Sequence, residues 1–145
     1  MIKLIVLGKI KEEYLNKLIV DYYKRISKYH KIEIIELKDK NDLKEEALEI
    51  KKHIDKNSYV ITLEIEGKQI TSRELADKID TTFISYPNIT FIIGSSEGLD
   101  NSIKEISNFP LSFSKMTIPH GLFRGLLLEQ IYRAFKILNN EKYHK

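Results

Sequence analysis

Five short apolar runs, each followed by a segment with helical spacing, constrain this chain most. The runs are Ile2–Leu7, Ile32–Leu37, Ser58–Ile65, Asn88–Ile93 and Leu111–Phe113. Ile2–Leu7 is apolar at all but one position, the pattern of a strand buried on both faces. The run at 32–37 reads Ile-Glu-Ile-Ile-Glu-Leu, so its glutamates place it at an edge or in a half-exposed position. The third run, Ser-Tyr-Val-Ile-Thr-Leu-Glu-Ile, is rich in β-branched and aromatic residues and is read as turning at Glu66-Gly67-Lys68. Between the runs, apolar residues recur every three or four positions over 12–29 and 42–54. A further helix starts at Ser72, with Thr71 or Ser72 as its cap, and a short one covers 101–107. Strands that alternate with helices predict one α/β domain over residues 1–145, with a mainly parallel sheet flanked by helices.

The last helix pattern, Leu122–Leu138, is too apolar for one wet face. Leu126, Leu127 and Leu128 point in three directions, and Ile131, Tyr132, Phe135 and Leu138 extend the apolar cover. In 145 residues, part of that cover is expected from a second subunit. Arg124, Glu129, Gln130 and Arg133 lie on the same helix and need partners if it is buried.

Composition narrows the function. With 42% hydrophobic and 31% charged residues the chain is globular, and no apolar run approaches the ~18 residues of a membrane span. The absence of cysteine removes disulfides and thiolate metal sites and fits a cytoplasmic location. A net charge of +3 permits an RNA partner without demanding one.

In open parallel sheets, ligands bind beyond the carboxyl ends of the strands. Three such ends carry notable residues: Leu63-Glu64, Gly94-Ser-Ser-Glu-Gly98 and Phe113-Ser-Lys-Met-Thr117. Two glycines four apart allow backbone to approach a ligand, since no Cβ intervenes, and are equally the mark of a plain turn. Gly8-Lys9-Ile10-Lys11, after the first run, lacks the glycine pattern of a phosphate cradle, which weakens a flavodoxin-like nucleotide-binding reading.

Taken in order, Phe91–Leu99, Leu111–His120, Leu127–Ile137 and the terminal Tyr143-His144-Lys145 resemble the ribosomal large-subunit methyltransferase H family. The opening Ile2-Lys3, and Val60–Ile65 with Gly67 after it, also fit, so the likeness spans nearly the whole chain. The resemblance implies a SPOUT-type α/β-knot fold with a C-terminal trefoil knot. It implies a homodimer that uses S-adenosylmethionine, without a metal, to methylate N3 of a pseudouridine in large-subunit rRNA, within the ribosome. A non-catalytic RNA- or ribosome-binding module of the same fold is the alternative. By motif, the cofactor contacts are Leu63, Gly94, Phe113, Ser114, Lys115, Met116, Thr117 and Ile118.

The imide nitrogen must lose a proton, so the resemblance makes His120 and His144 candidate bases. Tyr143 is a candidate to stack on a base and Lys145 to meet phosphate. Arg124 and Arg133 are candidates to hold phosphate or to pair with Glu129 across a dimer. The sequence departs from the family at Ser95, where a second glycine is usual, and at Gly121 and Gly125, where larger residues are usual. Ser95 is costly if that position needs positive φ, and each helical glycine costs ~1 kcal/mol relative to Ala.

Overall fold

The computed structural model describes residues 1–145. The elements are β1 (Ile2–Leu7), α1 (Glu13–Ser27), β2 (Ile32–Leu37), α2 (Leu43–Lys52), β3 (Ser58–Gln69), α3 (Ser72–Ser85), β4 (Asn88–Ile93), α4 (Asn101–Ile106), β5 (Phe109–Ser112) and α5 (His120–Leu138). All five strands are parallel, in the order β2-β1-β4-β3-β5. The most apolar strand, β1, takes the interior, where Leu4 lies opposite Ile34 on one side and Phe91 on the other. The glutamate-bearing β2 takes an edge, as its sequence requires.

Alternation of side chains divides the core into two layers. Ile2, Leu4, Val6, Ile61, Leu63, Ile89, Phe91 and Ile93 face α1, α3 and α5. Ile5, Leu7, Val60 and Ile92 face α2 and α4. Helix α3 starts with a capping box: Glu74 N–H donates to Thr71 Oγ1 (3.1 Å) and Thr71 N–H donates to Glu74 Oε1 (2.9 Å).

One sequence reading is corrected here, and another is narrowed. Strand β3 does not turn at Gly67. It bulges instead, so that Leu111 of β5 lies beside both Leu63 and Lys68 of β3. The bulge needs Gly67, because a Cβ there would stand 2.8 Å from the Pro110 carbonyl carbon of β5. The cover of α5 is also largely internal. Leu127, Leu128, Ile131, Ala134 and Phe135 are buried against the sheet, α1 and α3 of the same chain. Only Leu122 and Leu126, one turn apart, form an exposed apolar stripe on that helix.

The glycines of α5 belong to this packing. A Cβ on Gly121 would approach the Leu15 side chain to 2.8 Å, and one on Gly125 would run into Leu18. Their propensity cost is therefore offset by close approach of α1, which buries Leu15.

After β5 the chain leaves the sheet edge at Phe113 and enters α5 at His120. One turn into α5, Arg124 already reaches the carbonyls of Leu7 and Gly8, at the far end of β1. Residues 113–119 thus carry the chain back past the carboxyl ends of β3 and β4. A crossing of this kind is consistent with an α/β-knot fold.

Candidate active site

Because every strand runs the same way, the carboxyl ends of β3, β4 and β5 open together. They enclose a cleft of about 350 Å3. Its back wall is the turn after β4. There Gly98 N–H donates to the Ser95 carbonyl (2.9 Å), and Gly98 takes φ +87°. Gly94 sits under this turn. A Cβ on Gly94 would collide with the Gly98 carbonyl oxygen and stand 2.7 Å from its carbon. The glycine is thus needed first for the loop to close on itself, rather than to spare a ligand.

The front wall is the loop 113–118, which is braced from within. Ser112 Oγ donates to the Ser114 carbonyl (3.1 Å), and Met116 N–H donates to Ser114 Oγ (2.9 Å). Leu63, Ile93, Leu99, Phe113, Ile118 and Phe123 supply the apolar lining, with the Phe113 and Phe123 rings 5.1 Å apart. Of the eight residues assigned to the cofactor by sequence, Leu63, Gly94, Phe113, Ser114, Met116, Thr117 and Ile118 line this cleft. Lys115 is exposed in the same loop and is not part of the lining. Glu64, at a strand end the sequence marks, also lines it, and the β3 bulge adds Ile65 and Glu66, which the sequence reading missed. Gly67 was the available signal, since a glycine at a strand end can mark close backbone approach as well as a turn.

His120 lines the cleft from the first turn of α5. Burial holds its pKa below the free value, the Arg124 charge adds to this, and Asp39 opposes it. The imidazole is therefore neutral near pH 7 and able to accept a proton. Arg124 itself is 3% exposed. It donates to Glu36 Oε2 (2.8 Å), the Leu7 carbonyl (3.0 Å) and the Gly8 carbonyl (2.6 Å), not to Glu129.

The remaining polar residues of α5 gather at its other end. Arg133 Nε donates to Glu129 Oε1 (2.7 Å), and Arg133 Nη1 lies 3.1 Å from His144 Nδ1. The guanidinium stacks over the Tyr143 ring at 4.7 Å, and that ring meets Tyr132 edge-on at 5.0 Å. Burial, followed by a hydrogen bond with Tyr22, pushes the Tyr143 hydroxyl up to about 12. His120 and Arg133 are thirteen residues apart on one helix, roughly 20 Å at 1.5 Å per residue. Within one chain, then, the cleft and the Tyr143–His144 tail are not brought together.

The cleft, its glycine turn and the loop before α5 agree with what the sequence matches. Residues 1–144 match a family described as "Predicted SPOUT methyltransferase". The chain belongs to the SPOUT methyltransferase family. Among curated relatives, the "Putative ribosomal RNA large subunit methyltransferase H" of Methanococcus maripaludis is 54% identical over 99% of both chains. A "Ribosomal RNA large subunit methyltransferase H" of Clostridium botulinum is 48% identical over 99% of both. That of Caldicellulosiruptor saccharolyticus is 44% identical over the full length of both. Among solved structures, a probable methylase family protein from Haemophilus influenzae superposes with a TM-score of 0.59 at 17% identity. It covers 99% of this chain and 70% of that one. The A. aeolicus TrmH/SpoU tRNA modifying enzyme gives 0.51 at 13% identity, covering 95% and 77%. At such identities these two speak for the fold alone.

SPOUT methyltransferases use S-adenosylmethionine, and the residues present fit it. A cleft of this size lies within the roughly 300–1,000 Å3 of small-molecule sites. Its apolar walls suit the faces of an adenine. Glu64, Glu66, Ser114 and Thr117 supply polar groups at the rim for ribose hydroxyls and an amino-acid end. In this SPOUT cleft, Ser95 costs no backbone strain. The only non-glycine residues at positive φ are Asn41, Asn57 and Asn140. Ser95 is instead buried, and its hydroxyl donates to Glu46 Oε1 of α2 (3.0 Å).

Proposed function

We propose that this protein methylates N3 of a pseudouridine in large-subunit rRNA. In this reading it acts as a cytoplasmic homodimer on the assembled ribosome, with S-adenosylmethionine as methyl donor. What carries the reading is a cofactor-sized cleft in a chain whose relatives, at 44–54% identity, are named for that rRNA subunit. The sulfonium of the donor supplies an electrophilic methyl group, and the protein's task is to position it and take up a proton. The N3–H proton passes to a side-chain base. S-adenosylmethionine, held by the walls of the cleft, would supply the methyl group to that nitrogen and would leave as the neutral thioether.

Two histidines are placed for the proton. His120 stands in the cleft of its own chain, neutral at pH 7. His144 accepts from Arg133 through Nδ1, with Arg133 itself fixed by Glu129, so His144 takes the proton only when that bond is released. The roughly 20 Å of α5 between them means that the tail serves a cleft only if it belongs to the other subunit. The Leu122–Leu126 stripe, beside the cleft end of α5, is the apolar surface for that contact. Tyr143 keeps its proton and therefore acts by stacking on the target base. Arg124 acts as a positioning residue, tying the His120 turn to the end of β1.

Two measurements test this. Nucleoside mass spectrometry of rRNA should find N3-methylpseudouridine only when the protein is present; its absence from treated ribosomes overturns the substrate assignment. Mixing a Gly94→Val protein with one lacking residues 143–145 should restore part of the activity that each lacks. Two inactive parents with an inactive mixture would argue against a site shared between subunits.

A further inference from the structure

The sequence singled out Ser95 only as a departure, and no step of the methyl transfer employs Glu46. The structure joins the two. Glu46, in the first turns of α2, is 2% exposed. Its neighbours Ala47 and Ile50 are core residues that pack with Ile5, Ile92 and Leu99. A carboxyl group so placed requires partners. None is a cation, since no ion pair in the chain includes Glu46. Oε1 accepts from the Ser95 hydroxyl at 3.0 Å, and Oε2 accepts from the Lys40 N–H at 3.1 Å. The Asp39 carboxyl is a charged neighbour of the group.

The turn these groups support has little else to hold it. Ser96, Glu97 and Gly98 are exposed, and glycines flank the turn at 94 and 98. Its internal closure is a β-bridge between Ser95 and Gly98, in which the Gly98 N–H donates to the Ser95 carbonyl. Ser95 Oγ to Glu46 is the side-chain bond that ties it to another element. We propose that Glu46 is a positioning residue for the cofactor loop, acting through Ser95 to hold the Gly94–Gly98 turn in the form that lines the cleft. The proposal rests on the reading of that cleft as the cofactor site. A glycine at 95 has no hydroxyl and so lacks this tie; here α2 is coupled to the cofactor loop through one side chain.

Burial raises the pKa of the Glu46 carboxyl and the neighbouring Asp39 carboxyl adds to this, while the Lys40 N–H and the Ser95 hydroxyl oppose it; Asp39 is held below the usual range by the Asn41 N–H and by Glu46. The two Glu46 oxygens thus serve two donors, Ser95 on one side and the Lys40 N–H on the other. Glutamine keeps, in the same shape, the oxygen that accepts from Ser95 and gives up only the acceptor for the Lys40 N–H.

The test compares Ser95→Ala, Glu46→Leu, the double variant and Glu46→Gln in the full-length protein. The readouts are calorimetric affinity for S-adenosylhomocysteine and hydrogen exchange of the 95–98 amides without ligand. Ser95→Ala and Glu46→Leu should each weaken binding about five- to tenfold, the worth of one such hydrogen bond. Each should also speed exchange of the turn. The double variant should lose no more than the worse single, and Glu46→Gln should stay within about twofold of the parent. The proposal is overturned by Ser95→Ala with parental affinity and exchange, by additive losses, or by Glu46→Gln falling as far as Glu46→Leu. Should the parent bind no S-adenosylhomocysteine, the cofactor assignment fails, and the exchange measurement still judges the tie between α2 and the turn.

Discussion

Arg124 is by its motif a candidate to hold phosphate or to pair across a dimer, and its surroundings argue that it acts by holding the fold. The test is Arg124→Met, which keeps the length of the side chain and removes its donors. The variant leaves the Leu7 and Gly8 carbonyls without a guanidinium that now lies 3.0 and 2.6 Å away. Each hydrogen bond to a charged group is worth ~1.5–3 kcal/mol. The ion pair with Glu36 adds ~1 kcal/mol at most, since that carboxylate is 43% exposed. Two terms offset these losses. Arg124 Nε is buried without a partner in the parent, and the apolar stem of Met packs well where the guanidinium must be desolvated. The balance is a loss of about 3 kcal/mol, or about 6–12 °C in Tm for a domain of this length. Calorimetric unfolding measures the loss, and S-adenosylhomocysteine binding well below Tm shows whether the cleft survives. Unchanged Tm with lost methyl transfer would refute the reasoning and place the guanidinium on the substrate.

Three further outcomes follow from the same geometry. Gly94→Val should lower Tm and abolish S-adenosylhomocysteine binding together, because its Cβ meets the Gly98 backbone; lost binding at parental Tm would mean that the collision is with the ligand. Leu126→Asp should yield a folded 17.0 kDa species in sedimentation, whereas Leu127→Asp, at a position with no exposure, should unfold the chain; a Leu126→Asp dimer as tight as the parent would remove the stripe from the interface. His120 has a folded-state pKa below its unfolded value of ~6.5, so the unfolded chain binds the proton more readily. Stability should therefore be full above about pH 6.5 and fall as pH drops below it, and His120→Gln should shrink the fall; an equal pH dependence in both proteins would contradict the burial argument.

Much of the architecture was legible because it depends on local periodicity. A run such as Ile2–Leu7, apolar at all but Lys3, belongs in the middle of a parallel sheet, and a run with two glutamates belongs at its edge. The β3 bulge was not legible. A glycine following an apolar run announces a turn and a close approach in the same letter, and only the position of Pro110 in β5 decides between them. For the same reason, the cost of Gly121 and Gly125 could be counted from sequence, but the closeness of α1 that offsets it could not. Both depend on contacts between residues distant in the chain.

The site divides along the same line. Leu63, Gly94 and most of 113–118 line the cleft because strand ends and the loops that follow them are local features, and parallel strands deliver their ends to one side. Glu46 lies in a helix forty-nine residues from Ser95, on the opposite layer from α5, and nothing in its own segment distinguishes it from Glu45 or Glu49. Its burial does distinguish it: those two are exposed or half-buried, while Glu46 is enclosed without a cation. A buried carboxyl group carries a desolvation cost that packing alone does not offset, and an apolar residue of similar size would avoid that cost. The position of Glu46 is thus better explained by what it holds than by what it fills. What it holds is the turn on which the cleft depends.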